Sequence, residues 1–207
     1  MDGVITNTMS YHYRAWKHIF LREGIDVTYE DVYCREGQKG LKSIQEISKK
    51  YGKAITLKRA RRILTDKEKY FKRIVRIRFI TGAKKFIKEL FKKKFLLALV
   101  TGTSRYELNK ILPEHILNLF SVTITSNDVT HGKPHPEPFL KSLKKLRMNQ
   151  EDVVVIENAP FGIEAAKQAG LRCFALETSL PRQYLKRADA VFSSIKELQK
   201  QVKFHRS

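Results

Sequence analysis

Apolar residues recur at helical spacing through the first third of the chain and in short unbroken runs through the rest. Tyr13, Trp16, Ile19 and Phe20 fall near one face of a helix predicted over residues 10–23, with Ser10 as its cap and Gly24 as its stop. Residues 29–33 are short and ambiguous. Helical patterns follow at about 40–51 and 56–78, with Gly52 between them and almost no strand character. This part reads as a small helical bundle. From Thr81-Gly82 the texture changes. A helix over 82–94 leads into Phe95–Val100, a continuous apolar run suited to a strand buried on both faces. Then come a helix near 104–111, a strand at Val122–Thr125, a helix near 136–146, a strand at Val153–Ile156 and a helix at 161–169. Strands at Leu171–Leu176 and Ala190–Phe192 and a helix at 193–202 complete the pattern. Strands alternating with helices imply a parallel sheet covered on both sides, with a domain boundary near residue 80.

Length and charge narrow the picture. A chain of 207 residues buries a real core as one domain, or as one domain with a small insertion. No run of about 18 apolar residues occurs, so no membrane span is expected, and no apolar signal segment opens the chain. Cys34 and Cys173 are far apart in sequence and read as reduced cysteines of a cytoplasmic protein. The net charge of +20 favours anionic partners, either phosphorylated metabolites or nucleic acid. Its densest stretch, residues 51–79, keeps Ile63, Leu64, Tyr70, Phe71, Ile74 and Ile77 at helical spacing. An amphipathic helix with a basic outer face explains most of that run.

Five short stretches carry candidate chemistry: the opening Met1-Asp2-Gly3-Val4-Ile5-Thr6-Asn7-Thr8, then Val100-Thr101-Gly102-Thr103-Ser104, Gly132-Lys133-Pro134, Glu157-Asn158-Ala159-Pro160 and Gly162-Ile163-Glu164-Ala165-Ala166. Asp2-Gly3 alone equally describes a turn. Thr101, Gly102, Thr103 and Ser104 follow the most apolar strand, where amides and hydroxyls at a strand-to-helix turn cradle an anion or cap the helix. Three prolines, Pro134, Pro136 and Pro138, stiffen the loop around Lys133. Glu157-Asn158 offers hard oxygen ligands at the close of a strand. Asp2, Thr101, Lys133 and Glu157 all fall at or just after strand ends or in the loops beyond, where parallel sheets gather their ligands. One shared site follows from that agreement.

In order and spacing these stretches resemble the motifs of the haloacid dehalogenase superfamily, in its β-phosphoglucomutase-like and phosphatase subgroup. That family opens with Asp-x-Asp-Gly-Val, and the match begins here only at the x. The resemblance implies an α/β fold with a Rossmann-like parallel-sheet core made of residues 1–9 and 80–207, and an inserted α-helical cap over 10–79. It implies a Mg2+-dependent phosphatase of small phosphomonoesters, sugar phosphates above all, working through an aspartyl-phosphate. Asp2 becomes the general acid–base and, through its carbonyl, a metal ligand with Glu157 and Asn158. Thr101 and Lys133 join it in catalysis, and Gly102 and Thr103 hold the phosphate. His12, within Tyr11–Lys17, matches a mutase histidine that assists the acid–base residue. Gly37 and Lys39 belong to a cap loop that meets the substrate, and Gly40 stands where the mutase has an arginine, which tilts the reading towards a phosphatase. Asn158 stands where relatives often carry aspartate, so weaker metal binding is expected.

The nucleophilic aspartate and its strand would precede Met1. A start assigned to an internal Met accounts for this, and the chain as given is expected to be inactive. A phosphomutase and a catalytically dead phosphate or polyanion binder remain alternatives. A nucleic-acid protein explains the charge but not the motifs. Substrate identity and oligomeric state stay open.

Overall fold

The computed structural model describes residues 1–205; the last two positions of the expected core range, Arg206 and Ser207, lie outside the described residues. Helices α1 (Met9–Leu21), α2 (Tyr29–Tyr33), α3 (Gly40–Lys50) and α4 (Leu57–Ile74) follow one another without a strand. α1 packs on α2 and α4, and α3 packs on α4. Their apolar stripes meet in a core that includes Trp16, Ile19, Phe20, Ile44, Ile47 and Ile63, all buried. α2 owes its definition to a capping box, in which the Thr28 hydroxyl accepts from Asp31 N–H and the Asp31 carboxylate accepts from Thr28 N–H. That buried carboxylate also accepts from Lys50 Nζ at 2.6 Å and Tyr51 Oη at 2.6 Å, which ties α2 to the end of α3.

Two helix ends differ from expectation. α1 begins at Met9, and Thr8, not Ser10, is its N-cap residue, although the Thr8 side chain makes no capping bond. Its hydroxyl instead donates to Asp2. α4 stops at Ile74 rather than near 78, because Val75 turns extended (φ −66°, ψ 134°). Residues 75–80 then run back beside the opening segment. Asn7 N–H donates to Arg78 O at 2.7 Å and Ile80 N–H to Ile5 O at 2.9 Å, with Thr6 and Phe79 bridged antiparallel. The chain's two passages between the helical block and the rest are therefore bonded to each other.

Beyond them lie α5 (Ala83–Lys92), β1 (Ala98–Val100), α6 (Arg105–Ile111), α7 (Glu114–Leu117), β2 (Val122–Ile124), α8 (Glu137–Leu146), β3 (Val154–Glu157), α9 (Pro160–Gln168), β4 (Arg172–Leu176), β5 (Ala190–Phe192) and α10 (Ile195–Gln201). α7 is too short for a periodic signal and was not anticipated. β1 starts three residues later than the apolar run, because Lys94 adopts φ 62° in the turn that closes α5. All strand pairs are parallel, as the alternation implies.

The expected single sheet is instead two. β1 pairs with β2, and β3, β4 and β5 form a separate ladder. Among the described residues neither β1 nor β3 has a strand on its other side. Between them opens an apolar cleft of about 690 Å³, lined by Leu97 and Leu99 of one edge, Val155 of the other, and Phe86 and Phe139 from the flanking helices; Met1 stands in it too. The sheets, the helices around them and the helical block together make an α/β Rossmann-like fold with a helical cap. No helix among the described residues is long and apolar enough to cross a membrane.

Candidate active site

Asp2 sits 2 % exposed beside the carboxyl ends of the strands. Its carboxylate accepts from the Thr8 hydroxyl, from Thr103 Oγ1 at 3.3 Å, and from His12 Nε2 at 3.3 Å. These donors come from three places: the passage into the cap, the loop after β1, and α1 one turn past Thr8. Burial alone would raise the Asp2 pKa, but hydrogen bonds from His12 and the Thr8 hydroxyl hold it well below the usual carboxylate range. Thr103 is itself held by the loop, its N–H donating to Thr101 Oγ1 at 3.1 Å.

Lys133 is 4 % exposed and reaches across from the loop after β2. Its Nζ donates to Val100 O at 3.3 Å and to Glu157 Oε1. The second Glu157 oxygen accepts from Asn158 N–H at 3.1 Å, and Asn158 Nδ2 donates to Ser179 Oγ at 2.8 Å, which leaves its amide oxygen as an acceptor. Lys133 thus pairs with Glu157, Asn158 is bonded to Glu157, and Thr101 holds Thr103, which donates to Asp2; Gly3, next to Asp2, abuts Asn158, where a Cβ would fall 2.1 Å from Nδ2. No group of three His, Cys, Asp or Glu side chains among the described residues is arranged to hold a metal. The oxygens that Asp2, Glu157 and Asn158 carry are nonetheless of the kind a hard cation takes.

The cap meets this spot through the loop after α2. Gly37 has φ +83°, and a side chain there would fall 2.6 Å from Lys133 Cδ. A Cβ on Gly102 would stand 2.5 Å from Gly37 O. The two glycines let a cap loop and a core loop close backbone to backbone over the lysine. Lys39 lies beside them, but its Nζ is spent on Val129 O at 2.6 Å. A cavity of about 240 Å³ runs from here between cap and core, lined by His12, Lys39 and Thr103 among others.

Sequence reasoning missed Lys67. It is 6 % exposed, its Nζ 3.1 Å from His12 Nδ1 and within about 5 Å of the Trp16 and Phe71 ring centroids. An ammonium has donors and no acceptor, so His12 Nδ1 accepts from it and the imidazole proton sits on Nε2, directed at Asp2. Phe71 stacks on the imidazole, centroids 4.1 Å apart, and fixes its plane. A signal was present: Ile63, Lys67 and Phe71 share one stripe of α4, so the lysine interrupts an apolar face.

A buried acid served by a histidine, a hydroxyl-bearing turn and a lysine–carboxylate pair lie together at the strand ends, an arrangement suited to an anion. The chain belongs to the haloacid dehalogenase-like hydrolase family, which matches residues 1–176. By family it is a hydrolase of phosphoric monoesters. It is 26 % identical over 213 residues to the validoxylamine A 7'-phosphate phosphatase of Streptomyces hygroscopicus subsp. limoneus, covering 96 % of this chain and 92 % of that one. It is 29 % identical over 181 residues to the β-phosphoglucomutase of Bacillus subtilis, covering 83 % and 78 %. A hydrolase from Pseudomonas syringae superposes with a TM-score of 0.90 over 100 % of this chain and 96 % of its own, at 22 % identity, a likeness of fold.

Proposed function

We propose that this protein is a magnesium-dependent phosphatase of small phosphomonoesters, sugar phosphates among them, acting in the cytoplasm. One observation supports the reading above the rest: Asp2 is buried with His12 aimed at it and Thr103 bonded to it, and the buried Lys133–Glu157 pair is bonded to Asn158, which abuts Gly3. Hydroxyls and amides of Thr101, Gly102 and Thr103 hold the phosphoryl oxygens, and Lys133 adds positive charge. Asp2, Glu157 and Asn158 would hold Mg2+, which when bound screens the phosphate from nearby carboxylates. Asn158 brings no charge, so we expect the ion to bind more weakly than to a full carboxylate set.

The covalent nucleophile in this proposal is an aspartate one residue before Met1, on a strand seated in the cleft between β1 and β3. Its carboxylate attacks phosphorus, the ester P–O bond breaks, and the acid form of Asp2 gives its proton to the leaving alkoxide. In the second half Asp2 takes a proton from water as the water oxygen attacks phosphorus. The aspartyl P–O bond then breaks and inorganic phosphate leaves. Asp2 is held ionised, so its acid half needs a proton delivered along His12. Lys67, which orients His12, acts as a positioning residue. The free Cys34 and Cys173 fit a reducing compartment.

The test is phosphate release from a panel of sugar phosphates, with and without magnesium, by the chain extended upstream with an apolar strand ending in aspartate. We expect magnesium-dependent release that Asp2→Asn lowers by about 10²-fold or more. A folded extended chain that releases nothing, or that ignores Asp2→Asn, refutes the proposal. Conversion of glucose 1-phosphate to glucose 6-phosphate without net release would instead favour the mutase reading.

A further inference from the structure

We infer that the cavity between cap and core takes an ammonium group, held by Glu107 of α6 together with Glu36 and Glu68 from the cap, so that the phosphomonoester turned over here carries a protonated amine. This rests on the phosphatase reading above and names a charge that its substrate bears away from the phosphate. All three carboxylates line the cavity that His12 and Thr103 also line. Glu36 lies in the loop after α2 and Glu68 on α4, whereas Glu107 lies on α6, so they come from both sides of the cap–core boundary. None of the three makes an ion pair among the described residues. Glu107 is 8 % exposed; its Oε1 has no hydrogen-bond partner among the described residues, and its Oε2 receives only a 3.4 Å contact from the Ser104 hydroxyl. A buried carboxylate oxygen left unpaired is expensive. Beside a cavity, it is an acceptor waiting for a donor.

The cations that line the same cavity have partners of their own. Lys67 donates to His12 Nδ1 at 3.1 Å and Lys39 to Val129 O at 2.6 Å. Arg35 stands 3.6 Å from Glu46 Oε2 and donates through Nη1 to Asp31 O at 3.2 Å. Asp31, the fourth acid of the lining, is bonded to Lys50 and Tyr51. Glu36, Glu68 and Glu107 are left without a counter-charge. Burial raises the Glu68 pKa, and the neighbouring Glu107 charge raises it further; burial raises that of Glu36 too. Carboxyls raised in this way gain from an incoming cation, which favours their charged form. A metal ion is not that cation, since no group of three His, Cys, Asp or Glu side chains among the described residues is arranged to hold one. An ammonium asks less of geometry, because its three N–H donors reach carboxylates too far apart to share an ion. A hydroxyl in its place would satisfy one oxygen and leave the charges uncompensated. The volume, about 240 Å³, limits the amine to a small molecule.

Calorimetric titration of the full chain near neutral pH with matched pairs of esters tests this. Glucosamine 6-phosphate is set against glucose 6-phosphate, and 3-aminopropyl phosphate against propyl phosphate, with inorganic phosphate as the common reference. We expect the amine to bind at least about tenfold more tightly than its neutral counterpart in at least one pair, since an ion pair near a protein surface is worth that much. Glu107→Gln and Glu68→Gln keep the side-chain shape and remove the charge, and each should shrink that preference to within about threefold. Equal binding within both pairs overturns the inference, as does a preference that survives both substitutions. If inorganic phosphate and all the esters fail to bind, the phosphatase reading falls and takes this with it. Inorganic phosphate that binds while neither amine is preferred sinks this inference alone.

Discussion

Lys67 is one of 41 basic residues in a chain of net charge +20, and composition gives no reason to choose it. What sets it apart is position, on the stripe that its helix buries. Its role is testable in the extended chain by Lys67→Met, which keeps the stem over Trp16 and Phe71 but removes the charge. Turnover should fall by about 10- to 100-fold and the acid limb of its pH profile should move, whereas a purely structural role would shift only thermal stability. Asp31 offers a different test. Burial alone would raise it, yet hydrogen bonds from Lys50, Tyr51 and Thr28 lower its pKa to about 2. A carboxyl depressed in the folded state stabilises the protein above its unfolded pKa of about 3.9, and that contribution is lost as pH falls towards the folded value. Asp31→Asn should therefore destabilise the protein by about 1–2 kcal/mol near neutrality, discounted for the exposed Lys50 partner, and flatten the fall in stability between about pH 4 and 2. Chemical denaturation across that range checks both.

At the scale of elements, the strand and helix order was legible because alternation of short apolar runs with amphipathic stretches survives local noise. Boundaries were not. α1 starts at Met9 and leaves the Thr8 hydroxyl to Asp2, an arrangement that no capping rule anticipates. The meeting of Gly37 with Gly102 was equally hidden, since they lie 65 residues apart in sequence. Gly102→Ala would drive a methyl into the Gly37 carbonyl. We expect activity of the extended chain to fall by about 10²-fold, the size expected for a small misplacement of the closing loop, with the far-ultraviolet circular dichroism unchanged. Phe71 links packing to chemistry: Phe71→Ala should lower stability by about 3–5 kcal/mol, as for other buried aromatics, and loosen the His12 ring it stacks on. Thermal unfolding measures the first effect and the titration of His12 by NMR the second.

Across the whole molecule, the sequence announced a parallel α/β architecture, and it offered candidate residues at the strand ends, where such sheets gather their ligands. It did not announce that the sheet is split, since hydrogen-bond partners across β1 and β3 leave no mark in a single strand's composition. The positive charge belongs in part to the outer face of α4, where Arg61, Arg62 and Lys69 are exposed. A surface of that kind should hold generic DNA or RNA only weakly, and binding should vanish by about 0.2 M salt without sequence preference. A salt-resistant, sequence-selective complex would contradict that.

The antiparallel bonds between residues 5–7 and 78–80 have a mechanical result. Two independent tethers would let a mobile lid yaw and slide. Zipped together they form a short ribbon, which flexes out of its own plane more readily than it shears along the ladder. Any travel of the lid should thereby be confined to something near a single arc, which would keep Gly37 in register with Lys133.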